Sequence, residues 1–273
     1  MPPRKNDAAS PYLLIDADVL AYRAASAVEK IVSFDGDNHF PLASLAEAEH
    51  AFFTQLSTLL DRLDTDDYAL CFSDDHNGGF RRRLFPGYKA NRDGKPRPVV
   101  LHALREKLMH GEYRDGDIYI KPGLEADDCI GILATYPHFQ PRRRKVVVSV
   151  DKDMKSIPGF FFDMGKPDLG IREITREDAD LWHMTQTLIG DAADGYPGCP
   201  KVGPMTARKL FDGIPRDCEH LWPVVVKAFE ERGLTEDDAL VQARLARILR
   251  AEDWNFNTRE VKLWQPPHLA RTR

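Results

Sequence analysis

The sequence predicts an α/β fold, with a mostly parallel central sheet flanked by helices, from three observations. Short apolar, β-branched runs recur along the chain, amphipathic segments separate them, and three of the runs finish in an aspartate: Asp16, Asp74 and Asp151. Alternation of that kind covers both faces of a parallel sheet. Ligands of such sheets bind beyond the carboxyl ends of the strands, which is where the three acids would stand.

The elements follow in order. Tyr12 to Asp18 reads as a strand that feeds a helix over Val19–Lys30, and Leu45 to Leu63 has the spacing of a second helix. Tyr68–Asp74, Asp117–Lys121 and Lys145–Asp151 repeat the strand pattern, and Leu124–Tyr136 is helical. Pro86 to Pro98, rich in proline and glycine, is the main irregular stretch of the first half. After about residue 175 the pattern is helical, through Ala179–Gly190, a Gly/Pro-rich turn at Asp194–Pro204, Met205–Gly213 and Leu221–Arg250, before a late strand within Asn255–Trp264.

With 273 residues the chain can bury one large core and a helical extension. No apolar run approaches the roughly 20 residues of a membrane span, so a transmembrane protein is excluded. The start, Met1 to Tyr12, is polar and lacks the apolar core of a signal peptide, which leads to the expectation of an intracellular protein. Cys71, Cys129, Cys199 and Cys218 have no CxxC spacing and are expected as free thiols. A net charge of −5 argues against a uniformly basic nucleic-acid binder, so the distribution of charge decides the matter.

Carboxylates recur as Asp16 with Asp18, Asp74 with Asp75, Glu125 with Asp127 and Asp128, Asp151 with Asp153, and Asp191 with Asp194. Any one pair suits a helix cap or a solvated surface. Their shared placement at strand ends, and at the start of the helix that Glu125 opens, gathers them at one sheet edge. Acids so crowded repel or take up protons unless a cation neutralises them. An oxygen-rich set lacking His and Cys suits Mg²⁺ or Mn²⁺. Two such ions would serve phosphodiester hydrolysis.

Phe80 to Arg97 holds seven basic residues against one acid, interleaved with Phe80, Phe85 and Tyr88. Such a segment can follow a phosphate backbone while its rings stack on bases. It begins shortly after Asp74, so Lys89 or Arg81 is placed to stabilise charge on a transferring phosphate. The turn from Gly190 to Leu210 exposes backbone N–H groups that suit an anion, and its carbonyls equally suit a monovalent cation.

Five segments in this order, LLIDADVLAYRA, FRRRLFPGYKANR, GLEADDCIG, SVDKDMKSI and GDAADGYPGCPKVGPMTARKL, closely resemble the 5′-nuclease superfamily, which includes flap endonucleases, the 5′-nuclease domain of DNA polymerase I and phage 5′→3′ exonucleases. The region after residue 179 is most similar to the podovirus-type 5′→3′ double-strand DNA exonucleases. The resemblance implies a PIN-like nuclease core over residues 1–175, with a basic helical arch at about 76–110, and a helix–turn–helix-like DNA-binding subdomain with a C-terminal extension over 176–273.

By the same resemblance Asp16, Asp74, Glu125 and Asp127 surround a first divalent metal, and Asp151, Asp153, Asp191 and Asp194 a second, with Asp128 as a further acid of the cluster. Lys89 matches the catalytic lysine of the arch. Arg81 and Arg92 match its basic flanks, Arg82, Arg83 and Lys95 would bind DNA with them, and Tyr22 would be an aromatic that stacks on DNA. Lys201, Gly203 and Thr206 would grip the duplex, and Gly198, Val202 and Gly203 would surround a potassium ion. Two departures stand out: Lys201 replaces a glycine of the family turn, and Met205 replaces a lysine. The implied protein is a monomeric enzyme of the bacterial or phage-infected cytoplasm. It would act on DNA with 5′ ends, nicks or flaps and on RNA–DNA hybrids, in phage DNA replication and degradation, with two Mg²⁺ or Mn²⁺.

Other readings differ in what they leave over. Asp16-Ala-Asp18 with the later GDAAD also resembles haloacid-dehalogenase-type phosphatases, but that reading leaves the EADD cluster, the basic segment and the Gly/Pro turn unused, and Leu20 is atypical there. A DNA-binding protein without catalysis would have no need of every acid and the lysine together.

Overall fold

In the computed structural model residues 10–33, 37–74, 79–111 and 117–270 are described. The chain runs β1 (Tyr12–Asp16), α1 (Ala17–Val28), β2 (Lys30–Ser33), β3 (His39–Leu42), α2 (Leu45–Arg62), β4 (Tyr68–Cys71), α3 (Gly79–Leu84), α4 (Leu101–His110), β5 (Asp117–Tyr119), α5 (Ala126–Thr135), β6 (Lys145–Ser149), β7 (Gly159–Asp163) and β8 (Ile171–Ile174). The second part comprises α6 (Arg176–Ile189), α7 (Pro204–Leu210), α8 (Cys218–Glu230), α9 (Glu236–Ala246), a small hairpin of β9 (Trp254–Asn255) and β10 (Glu260–Val261), and α10 (Pro267–Ala270).

Six strands form the central sheet in the order β5-β4-β1-β6-β7-β8. All pair in parallel except β8, which runs antiparallel to β7 at the edge. β1 is buried at every position because both its faces are covered: Leu13 and Ile15 meet α1, α2 and α4, while Tyr12 and Leu14 meet α5. Its last residue, Asp16, accepts from Val19 N at 3.1 Å and caps α1. The parallel order therefore delivers Asp16 and the residues after β6 to one edge of the sheet.

Several expectations are refined. β4 ends at Cys71, three residues short of Asp74, and β6 ends at Ser149, two short of Asp151. The Leu221–Arg250 segment is not one helix: α8 and α9 are separated by the turn at Gly233, and residues 247–250 leave α9 as a buried extended segment. Among the described residues, the region expected as an arch holds short α3, a turn of 3-10 helix at Ala90–Arg92 and α4, which Leu101, Leu104 and Leu108 anchor in the core beside α1 and α2. A separate apolar cluster, including Met184, Trp222, Phe229 and Trp264, unites α6, α8 and α9.

Met1 to Ala9, Asp75 and part of the expected arch lie outside the described residues. Among the described residues all four cysteines are free, and no helix is long and apolar enough to cross a membrane.

Candidate active site

Asp16, Asp18, Glu125, Asp127, Asp151, Asp153 and Asp194 line one cleft of about 180 Å³ at the carboxyl ends of the strands. Asp16 is 3% exposed and its second oxygen accepts from Ser149 Oγ at 2.8 Å. Burial first, then the neighbouring Asp18, push its pKa up to about 7. Burial and Asp151 do the same for Asp153, also to about 7, and Asp153 Oδ1 is buried without a hydrogen-bond partner among the described residues. Asp127 is raised well above the ordinary value by burial and by Asp16 and Asp151. This side of the cleft is thus an array of carboxylates short of positive charge.

The opposite wall is different. Lys89 Nζ donates to Glu125 Oε1 at 2.5 Å and lies 3.9 Å from Asp194. Tyr88 Oη bridges Glu125 and Asp194 at 3.0 Å each. Burial alone would raise the Glu125 pKa, but Lys89 and Arg81 hold it down to about 2. Burial likewise opposes charge on Lys89, and Glu125 with Asp194 outweighs it and raises its pKa. Lys89 sits at φ 55°, a left-handed conformation, which turns the chain so that Lys89 N donates to Asp194 O at 2.7 Å.

Asp191 and Asp194 are presented by a tight loop after α6. Asp191 Oδ1 accepts from Ala193 N at 2.7 Å and Asp194 N at 3.2 Å, and its other oxygen accepts from Lys152 Nζ at 3.0 Å. Asp191 faces Lys152 rather than the cleft lumen, whereas Asp194 pairs with Arg92 at 2.5 Å. The loop closes on Gly190 and Gly198, both at positive φ, where a Cβ on Gly198 would lie 2.3 Å from Gly190 N.

A wider groove of about 910 Å³ adjoins the cleft. Tyr22, 49% exposed, Arg82, Arg92 and Lys95 line it, as do Arg23, Arg97 and Arg105, which sequence reasoning did not single out. Asp74 stands in this groove and not in the acidic cleft, with Oδ2 accepting from Gly123 N at 2.7 Å. Asp18 was expected only as a partner of Asp16, yet it lines the cleft, accepts from Ser73 N at 2.9 Å and lies 2.9 Å from Arg105 Nε. Tyr88 was read only as an aromatic of the basic segment; its place directly before Lys89 was the available signal.

Two residues are corrected. Asp128 is fully buried on the far side of α5, and Arg81, 4% exposed, grips it with two hydrogen bonds of 2.7 and 2.8 Å. Arg81 also donates to the carbonyls of Leu245 and Arg247. Asp128 is therefore an internal counter-ion, and the Arg81 guanidinium, although it lines the cleft and the groove, is committed to Asp128, Glu125 and two carbonyls. Arg83 is exposed but lines a different cavity, together with Trp254 and Arg259.

Lys201, Gly203 and Thr206 lie around the start of α7 and line neither the cleft nor the groove. Lys201 adopts φ 63°, the left-handed backbone that the family glycine would take without strain, and Met205 is 68% exposed. Gly198 N donates to Gln242 Oε1, Val202 is buried, and Gly203 O accepts from Ala207 N at the first turn of α7.

A buried and half-buried set of carboxylates at one edge of the sheet, with Lys89 among them and a basic groove beside it, is the site of a nuclease of the α/β type. The chain matches the family described as 5′-3′ exonuclease, N-terminal resolvase-like domain, over residues 11–158, and it belongs to that family. It is a 5′-3′ exonuclease by this membership.

It is 30% identical to the exodeoxyribonuclease of Enterobacteria phage T3, over 93% of this chain and 92% of that protein. It is also 30% identical to the exonuclease of Escherichia phage T7, over 93% of each. A T5 5′-exonuclease, solved with divalent metal ions, shares the fold with a TM-score of 0.61 at 15% identity, covering 86% of this chain and 89% of that one.

Proposed function

We propose that the cleft is a divalent-cation centre for 5′→3′ hydrolysis of double-stranded DNA. The observation that carries this reading is the crowding of Asp16, Asp127, Asp151 and Asp153 in one cleft, which together with burial raises the pKa of Asp16, Asp127 and Asp153 although Lys89 and Lys152 oppose the rise on the latter two, with a buried, unpartnered oxygen on Asp153. All donors are carboxylate oxygens, which suits Mg²⁺ or Mn²⁺. Among the described residues no three side chains converge tightly enough to hold an ion as they stand. The Lys89 ammonium, seated among Glu125, Asp194 and Asp127, is the positive charge already present.

Asp16, Glu125 and Asp127 would hold one ion, and Asp151, Asp153 and Asp194 the other, with Asp74 in the adjoining groove and Asp191, bound to Lys152, bracing the loop that carries Asp194. Bound divalent cations supply Lewis acidity at phosphorus and a water ionised near neutral pH. The residues of the chain do the rest. Arg82, Arg92, Lys95 and Arg97 steer the phosphate backbone along the groove, and the exposed Tyr22 ring offers a stacking face for a base. Lys89 exchanges Glu125 for the scissile phosphate and stabilises its growing charge. Lys201, Gly203 and Thr206 would contact the duplex beyond the cleft; a potassium ion near Gly198, Val202 and Gly203 is not required by this reaction.

In this reading the enzyme acts in DNA degradation and primer removal during phage replication, as a monomer on 5′ ends, nicks, flaps and RNA–DNA hybrids; the phage exodeoxyribonuclease and exonuclease relatives support the DNA-degrading part of it. The test uses 5′-labelled duplex, flap and hybrid substrates with and without Mg²⁺. Asp151→Asn is expected to lower metal-dependent cleavage at least about 10³-fold while sparing DNA binding. Near-wild-type turnover in that variant, or cleavage undiminished by EDTA, would sink the assignment.

A further inference from the structure

Residues 245–253 carry the deepest concentration of charge outside the cleft. Every residue from Leu245 to Arg250 is buried although 247–250 have no regular structure. Their backbone groups need partners. Those partners belong to the elements that hold the acids.

On one side the strap takes hold of the helix that Glu125 and Asp127 open. Leu249 N donates to Asp128 Oδ1 at 3.0 Å, Leu245 O accepts from Arg81 Nε at 3.1 Å, and Ala251 N donates to Thr135 Oγ1 at 2.7 Å. Arg81 Nη1 reaches Glu125 itself at 3.3 Å. Gly131 permits this approach: a Cβ there would lie 2.3 Å from Leu249 O.

On the other side Arg250, with no exposed surface, donates from Nε and Nη2 to Ser156 O at 3.2 and 2.9 Å and lies 2.7 Å from Asp180 of α6. Ser156 closes the 3-10 turn Lys152–Ser156 that follows Asp151 and contains Asp153, and Ser156 Oγ donates to Asp153 O at 2.8 Å. One short strap therefore contacts both acid-bearing elements through hydrogen-bonded charge, which fixes geometry more sharply than apolar packing does.

We infer that the 245–253 strap sets the separation between the Glu125/Asp127 pair and the Asp151/Asp153 pair, with Arg250 as its principal positioning residue. The inference rests on the reading of the cleft as a divalent-cation centre, and it explains why two arginines are buried in an irregular segment. Arg250 acts through Ser156 and touches no reacting atom.

The test compares Arg250→Lys, which keeps a cation near Asp180 but cannot reproduce the fork to Ser156, with Arg176→Ala, which removes the exposed Arg176–Glu252 pair on the same strap. Calorimetric titration of the DNA-free protein with Mn²⁺ is expected to show at least about tenfold weaker binding for Arg250→Lys and no change for Arg176→Ala. Amide exchange in 151–156 should quicken in Arg250→Lys while exchange in β1 and β4 stays as in the wild type. Wild-type Mn²⁺ affinity together with unchanged exchange at 151–156 overturns the inference, and so does uniform loss of protection across the sheet. If the wild type itself takes up no Mn²⁺, the metal reading fails, and the exchange comparison alone decides for or against the strap. Should Arg250→Lys fail to fold, Ser156→Pro, which disturbs the same turn from the other side, is measured in the same two ways and must give the same pattern.

Discussion

Glu125 and Asp16 line one cleft, and the protein drives their acidities in opposite directions. Glu125 is held down to about 2 although burial opposes its charge, because Lys89, Arg81 and Tyr88 all offer it positive charge or a donor. Asp16, 3% exposed, is pushed up to about 7 by burial and by Asp18 beside it, against which Ser149 Oγ and Val19 N are its donors among the described residues. The lesson is that burial sets the size of the problem and the placement of cations sets the sign of the answer. A basic segment packed on one wall leaves the other wall to an external cation.

The largest way to break this contrast is Lys89→Ala. Loss of the ammonium should slow the chemical step by about 10²–10³-fold in single-turnover cleavage and raise the Glu125 pKa from about 2, with Arg81 and Tyr88 still opposing part of the rise. An effect confined to affinity, abolished by excess enzyme, would reassign Lys89 to positioning.

Next in size is a pH effect on the metal-free protein. An acid with a folded pKa above its unfolded value favours folding only while protonated, so the Asp16 and Asp153 contributions are present near pH 4 and lost as pH rises through about 7. Glu125 has the reverse sign: its contribution is present above its ordinary pKa and lost as pH falls through about 2. The melting temperature in EDTA should therefore fall between pH 5 and 8, Mg²⁺ should restore it most at the upper end, and Asp16→Asn should flatten the slope. A melting temperature that rises over this interval would refute the assignment of the uncompensated wall.

The smallest expected change comes from Tyr88→Phe, which removes the hydroxyl shared by Glu125 and Asp194 and keeps the ring stacked on Tyr196. Denaturant titration should show a loss of about 1–2 kcal/mol. No loss would mean that Lys89 alone satisfies the Glu125 wall.

The sequence carried the sheet and most of this cleft, for reasons visible in single residues. β1 and β6 are continuous apolar runs buried on both faces, and their flanking acids follow directly from strand direction. Asp128 shows where such reading stops. Its neighbours Glu125 and Asp127 lie within one helical turn of it, but each residue advances about 100° around the axis, so adjacent Asp127 and Asp128 diverge. Which of them faced the cleft depended on Arg81 and on Leu249, 121 positions further along the chain, and no local pattern encodes that meeting. Arg81 is the same case, since three consecutive arginines look alike in sequence and only one is buried. Asp74 illustrates a smaller limit: β4 ends early, and three residues of irregular chain carry the side chain from the cleft into the groove.

The seat of Leu249 on Gly131 also orders events in time. During synthesis the carboxylates up to Asp194 emerge before residues 245–250, so α5 lacks the contacts with Leu249 and Ala251 until the strap has been made. A contact of such long range closes late in folding.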